Sequence, residues 1–277
     1  MNVSEHVGYF IQEMKRRGMS PRTISSYSSN VKSFFAWTVK DHPKNINKDD
    51  IVEYLSLFNE NNTQRSHHQA IKKFYEICLN QPNKFKYIPY CKKSEKKPII
   101  LSVDEIQRLI DACGNLKHKT IICLVYATGV RMSELLGIRL CDIDRGNMVI
   151  HVINGKGEKQ RQVTMKPRLL SLLEEYYRAY EPETYLFEGD KPGCKYTSSS
   201  VNSMLRTYAK KAGIKKRVYC HLLRHNYATH SLEEKENLYT IQKVLGHASP
   251  KTTADTYLHT SPSIIANAHS PIQNINL

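Results

Sequence analysis

Apolar residues recur at helical spacing through the first ninety positions. Val7, Phe10, Ile11 and Met14 mark one face over His6–Arg17, and Gly18 ends that run. Ser20 and Pro21 then predict an N-cap and a first helical position. The helix they open carries Ile24, Tyr27, Val31, Phe34, Phe35 and Val39 on its apolar face, with Trp37 nearby. A shorter helix is predicted from about Lys48, with Ile51, Tyr54, Leu55 and Leu57 inward, and a fourth from about Thr63 through Ala70, Ile71, Phe74, Tyr75 and Cys78. Four helices with short connections predict a small all-α domain over residues 1–86.

The pattern breaks over residues 87–100. Pro89, Pro98 and four lysines between Cys91 and Pro98 predict a basic linker. Beyond it, Ser102 with Glu105 three positions on is a capping box in front of Ile106, Leu109 and Ile110. An apolar helix follows from about His118 to Ala127, stopped by Gly129. Residues 148–153 and 161–165 read as strands flanking Asn154-Gly155-Lys156-Gly157, a hairpin signal. Helices are predicted at 167–180, 200–212, 221–232, 239–245 and 250–258. The second domain is therefore mainly α with a small β-sheet, over residues 101–262, and residues 263–277 form an Asn-rich tail.

Charge narrows the function. The chain has 41 Lys+Arg against 26 Asp+Glu, a formal net charge of +15. Residues 1–100 hold 17 basic and 9 acidic residues, so the excess is shared by both halves and is not a tail. Such a surface favours a polyanion, with nucleic acid the default partner through counterion release. No apolar run approaches the roughly 18 residues of a membrane span, and residues 1–20 hold no apolar leader core. The seven cysteines form no CxxC, which argues against a disulfide framework or a Cys-based zinc site, and a cytoplasmic protein is expected.

Five stretches stand out together: Thr128-Gly-Val-Arg131-Met-Ser-Glu134, Gly155-Lys156-Gly-Glu-Lys-Gln-Arg161, His221-Leu-Leu-Arg224-His225, Leu245-Gly-His247 and Asp255-Thr-Tyr257. Breaking a phosphodiester needs a nucleophile, relief for the charge on the non-bridging oxygens, and a proton for the leaving oxygen. Tyr can serve as a covalent nucleophile, but a phenol of pKa near 10 needs a base or a strong local positive charge. Paired arginines grip phosphate with fork-shaped donor arrays that stay charged. A Lys on a hairpin can reach a groove and act as general acid.

In this order and spacing the five stretches resemble the tyrosine recombinases, the phage-integrase-like DNA strand-exchange enzymes, over residues 101–262. Ser20-Pro-Arg-Thr23, Tyr27, Phe34 and Trp37 resemble the family's helical, SAM-like core-binding domain. The resemblance implies that Arg131 and Arg224 clamp the scissile phosphate, with Glu134 as a buttress of Arg131. It implies that His221 serves as base or proton relay, Lys156 protonates the leaving 5′ oxygen, His247 adds a phosphate contact and Tyr257 attacks. It further implies a 3′-phosphotyrosyl intermediate, a homotetramer on two double-stranded DNA sites working through a Holliday junction, a monomer or dimer when free, a tail that docks on a neighbouring subunit, and no ATP, metal or other cofactor. The compact chain is more similar to the Xer-type or transposon-type members than to the larger phage integrases.

Each residue has a plainer reading. Spacing alone makes Arg131 and Glu134 a surface i,i+3 pair, Lys156 a solvated turn lysine with Lys159 as competitor, and His247 a helix-end cap. His221 and His225 lie at i,i+4, but no Glu follows in a His-Glu-x-x-His pattern, so zinc is not expected. Tyr257 is one of 17 tyrosines. Two rival functions share these features: a type IB topoisomerase-like enzyme and a non-catalytic DNA-binding regulator. Lys235 stands where the family commonly has Gly after the His-x-x-Arg helix, and a differently shaped loop is expected there.

Overall fold

The computed structural model describes residues 2–40, 42–90, 99–153 and 161–246, and the chain divides into two compact units, 1–96 and 97–277. The first unit holds helices α1 (Val3–Arg16), α2 (Pro21–Thr38), α3 (Lys48–Ser56) and α4 (Asn61–Leu79). Each of the first three opens on a side-chain cap that the sequence spells out. Asn2 and Glu5 form a capping box, as do Asn47 and Asp50, and Ser20 accepts from the Thr23 amide with Pro21 behind it. Phe74 on α4 is the hub of the core, with the rings of Phe10 and Phe35 at 5.4 and 5.0 Å in edge-on contact. Trp37 packs on Tyr54, which in turn meets Phe34.

Val39 and Leu57, expected on apolar faces, are instead 86% and 55% exposed. Both are C-cap residues, Val39 at φ +51°, so the helical register that would have turned them inward ends one position before them.

The second unit holds α5 (Val103–Asp111), α6 (Leu116–Thr128), α7 (Met132–Leu135), β1 (Ile143–Asp144), β2 (Val149–Val152), β3 (Arg161–Thr164), α8 (Pro167–Tyr180), α9 (Ser198–Lys211), α10 (Cys220–Glu233) and α11 (Leu238–Leu245). The three strands form one antiparallel sheet in the order β1-β2-β3, with Ile150 opposite Val163 and Val152 opposite Arg161. The expected hairpin strands are β2 and β3; β1, a two-residue strand opposite Ile150 and Val149, is too short to leave a periodic signal. The turn at 154–160 lies outside the described residues, as do most of the basic linker, the helix predicted at 250–258 and the tail.

Helices α6 and α10 form the centre of this unit. α6 buries Ile121, Ile122, Leu124 and Val125, and α10 buries Leu222, Leu223, Arg224, Asn226 and His230. α6, apolar around most of its circumference, belongs inside a domain, whereas α10 carries polar side chains into the interior with it. Two buried polar side chains of α10 are satisfied through Leu101: Asn226 Oδ1 accepts the Leu101 amide at 2.7 Å, and His230 Nε2 donates to the Leu101 carbonyl at 3.0 Å while Nδ1 accepts from the Tyr126 hydroxyl. α11 is held against α10 by Ala228, Leu232, Ile241 and Leu245.

Lys235 does not reshape its loop. It adopts φ +64°, its amide donates to the Leu232 carbonyl and the Glu236 amide to the Ser231 carbonyl. That is the paired closure by which a Gly usually ends a helix, here completed by a residue with a Cβ.

Candidate active site

Gly129 ends α6 in the left-handed region at φ +61°. A Cβ there would lie 2.6 Å from Tyr227 Cδ1 and 2.9 Å from Leu245 Cδ2, so the Thr128-Gly129 turn admits no larger residue without displacing α10 and α11. The turn delivers Arg131 to the start of α7. Glu134, one helical turn on, folds back so that its carboxylate accepts both the Arg131 amide at 2.7 Å and the Arg131 Nη1 at 2.7 Å.

Glu134 is not a surface partner. Its side chain is 1% exposed and sits among three guanidinium groups. Arg161 Nη2 donates to Oε2 at 2.6 Å, and Arg224 Nη1 lies 4.0 Å from the same oxygen. Burial alone would push the carboxyl up; the hydrogen bonds from Arg161 and Arg131 and the charge of Arg161 outweigh it and hold Glu134 below the ordinary carboxylate range. Three guanidiniums around one carboxylate give these four groups a net positive charge, which attracts phosphate. The i,i+3 pair of Arg131 and Glu134 is therefore the front of a buried network.

The same three arginines close the end of α11. Arg161 Nη1 donates to the Val244 carbonyl, Arg224 Nη2 to the Leu245 carbonyl at 2.7 Å, and Arg131 Nη2 to the Gly246 carbonyl at 2.9 Å. Three consecutive carbonyls that a helix C-terminus leaves without intrahelical partners each take one guanidinium, at the negative end of the helix dipole. Arg224 also donates to the Gly129 carbonyl at 2.6 Å, so it ties α6 to α11 from beneath at 1% exposure, whereas Arg131 is 32% exposed.

His221 opens on the solvent at the first turn of α10, with the His225 ring 4.6 Å away and edge-on. Packing beneath it, then the charges of Arg224 and Arg131, push its imidazole below the ordinary histidine value. It is thus neutral at pH 7 and able to accept a proton. Among the described residues no group of His, Cys, Asp and Glu is placed to hold a metal ion.

Of the residues singled out in the sequence, Arg131, Glu134, His221 and Arg224 come together here. Lys156, His247 and Tyr257 lie outside the described residues. Arg161 was not singled out. Its place at the close of the Gly-Lys-Gly-x-Lys-x-Arg stretch is the signal the sequence offers; in the structure it heads β3 at 8% side-chain exposure. No helix among the described residues is long and apolar enough to cross a membrane.

Residues 100–263 match the phage integrase family, and residues 8–84 match its N-terminal SAM-like domain. A putative integrase/recombinase, y4qK, of Sinorhizobium fredii (strain NBRC 101917 / NGR234) is 35% identical over 95% of this chain and 86% of its own length. The crystal structure of XerA recombinase is similar at 31% identity with a TM-score of 0.57, covering 95% of this chain and 96% of that one. A lambda integrase tetramer bound to a Holliday junction shares the fold at TM-score 0.80 and 16% identity, covering 93% of this chain and 77% of that one. With both units matched and the arginine cluster in place, the chain belongs to the phage integrase family, the tyrosine recombinases.

Proposed function

We propose that this protein is a site-specific DNA recombinase in which Tyr257 attacks a backbone phosphate, forming a 3′-phosphotyrosyl bond as the 5′ oxygen leaves. The 5′ hydroxyl of the partner strand reverses the step, so the bond energy is kept in the protein–DNA ester and strands exchange between two sites through a Holliday junction. Arg131 meets the non-bridging oxygens at the surface and Arg224 adds its charge from beneath. Neutral His221 takes or relays the phenolic proton, Lys156 protonates the leaving oxygen, and His247 adds a contact to the phosphate. The enzyme works in the cytoplasm as a homotetramer on two duplex sites, and residues 263–277 dock on a neighbouring subunit. One observation carries the reading: Arg131 and Arg224, distant in sequence, converge on one buried carboxylate and one helix end with charge to spare.

A nicked suicide substrate, from which the cleaved strand cannot be rejoined, tests it. Wild type should accumulate a covalent protein–DNA adduct and Tyr257→Phe should give none. An adduct that persists in Tyr257→Phe moves the nucleophile to another tyrosine. Relaxation of a supercoiled plasmid lacking any recombination site would favour a topoisomerase instead.

A further inference from the structure

Arg161 lies where three of the five motif stretches meet. It heads β3, five positions after Lys156, so it is the first described residue beyond the hairpin stretch that carries that lysine. Its Nη2 binds Glu134, the residue that orients Arg131, and its Nη1 binds the Val244 carbonyl at the end of α11, three positions before His247. Gly246 completes the fit. It caps α11 at φ +62°, and a Cβ there would lie 2.8 Å from Arg161 Cδ and 3.2 Å from its Nε.

The three arginines divide their work by distance. Arg161 is 2.6 Å from Glu134 Oε2 while Arg224 stands 4.0 Å from the same atom, and Arg161 is 8% exposed. The charges that bear on His221 are those of Arg224 and Arg131. Arg161 and Arg131 therefore both bond the carboxylate directly, and it is Arg224 that stands back from it. Without it, Glu134 would be a buried anion short of one partner, and the nearest replacement is Arg224. The helix end would lose one of its three holds in the same stroke.

We propose that Arg161 is a positioning residue for strand cleavage, a counter-ion and strut that keeps Glu134 from capturing Arg224 and fixes the end of α11 against the hairpin strand. This rests on Arg131 and Arg224 serving as the phosphate clamp.

The test compares Arg161→Ala, Arg161→Lys and Gly246→Ala on two suicide substrates, one with an ordinary scissile phosphate and one with a neutral methylphosphonate at that position. A neutral centre has little use for well-placed cations, so a variant whose fault is cation placement regains ground on it, whereas a variant that is merely less folded does not. On the ordinary phosphate, cleavage by Arg161→Ala should fall about 10²-fold, the scale for loss of preorganised electrostatics, with DNA binding held within about threefold. That deficit should shrink about tenfold on the methylphosphonate, as it should for Arg131→Ala. Arg161→Lys keeps a charge for Glu134 but has no fork to span Glu134 and Val244, so its deficit should be intermediate. Gly246→Ala, which drives a methyl into Arg161, should show the same dependence on substrate, and it carries the test if Arg161→Ala fails to fold. Equal deficits on the two substrates, or near wild-type cleavage by Arg161→Ala, overturn the proposal. An adduct formed by Tyr257→Phe on the same substrates fails the reading beneath it instead, so the two failures are told apart.

Discussion

The two units solve opposite problems in their interiors. The N-terminal unit is centred on interlocked aromatic rings, Phe10, Phe34, Phe35, Tyr54, Phe74 and Tyr75, and the polar atoms it buries are few. The second unit buries a carboxylate and two guanidiniums, Glu134, Arg161 and Arg224, within hydrogen-bonding range of helix ends. Apolar packing is nondirectional and tolerant, and it supplies rigidity without chemistry. A buried charge network costs desolvation and is weak evidence for stability, yet it aims donors to within tenths of an ångström. The comparison teaches that a fold places costly polar groups where a reaction uses them and builds the rest from oil.

The largest effect should come from removing the one anion. Glu134→Gln keeps the shape but leaves three guanidiniums facing a neutral amide. Strand cleavage on the nicked substrate should drop about 10²–10³-fold. Breaking a buried pair on one side costs about 3–5 kcal/mol, so the thermal midpoint of the second unit should fall as well. Wild-type cleavage and stability in Glu134→Gln would mean the network is ornamental.

Phe74→Ala is the matching break in the other unit. Removing the ring at the hub should cost about 3–5 kcal/mol. Trp37, the only tryptophan, reports this unit alone through its contact with Tyr54, so denaturant unfolding followed by its fluorescence measures the loss directly. The second unit should unfold as before by circular dichroism. A shift of both transitions together would show that the cores are not independent.

How far the sequence could be read follows the same division. Caps and apolar faces depend on neighbours within a helical turn, and Ser20, Pro21, Ser102, Glu105 and Gly129 placed their elements within a residue or two. Motif order pointed to Arg131, His221 and Arg224. What stayed hidden depends on partners distant in sequence. Arg161 meets Glu134 from 27 positions away and Val244 from 83, and no periodicity marks such a contact. The depth of Glu134 was hidden for the same reason, since an i,i+3 Arg–Glu pair reads identically at the surface and in the interior.

His68 sharpens the contrast, a buried polar side chain of the aromatic unit that finds no hydrogen-bond partner. It is 6% exposed, both ring nitrogens lack hydrogen-bond partners, and the rings of Phe85 and Tyr90 meet it edge-on at 5.3 and 4.8 Å. Burial, then the charges of Lys72 and Arg65, lower its pKa from 6.5 to about 4. The unfolded chain thus takes up a proton that the folded one refuses. Stability is unaffected above the ordinary value, falls as pH drops through 6.5, and levels off below about 4, a loss on the order of 3 kcal/mol. His42 and His67 are also held low and add to the slope. His68→Phe should flatten the acid side of a stability–pH profile read by Trp37 fluorescence. An unchanged slope would assign the acid sensitivity to other groups.

The smallest effect belongs to a position outside both networks. Lys235 closes α10 at φ +64° with the Lys235 and Glu236 amides donating to the Leu232 and Ser231 carbonyls, a conformation that suits glycine. For a residue with a Cβ this region costs about 1–2 kcal/mol, partly offset in Lys235→Gly by the greater freedom of the unfolded chain. Lys235→Gly should therefore stabilise the second unit by about 1 kcal/mol, a rise of a few degrees in its thermal midpoint, with no change in cleavage rate. The helix that ends here holds Arg224 two and a half turns upstream, in the arginine network, so a rate that moved with this substitution would show strain passing along α10 to the guanidinium. If cleavage is unchanged while stability rises, the end of α10 is scaffold, and the boundary between scaffold and chemistry falls inside a single helix.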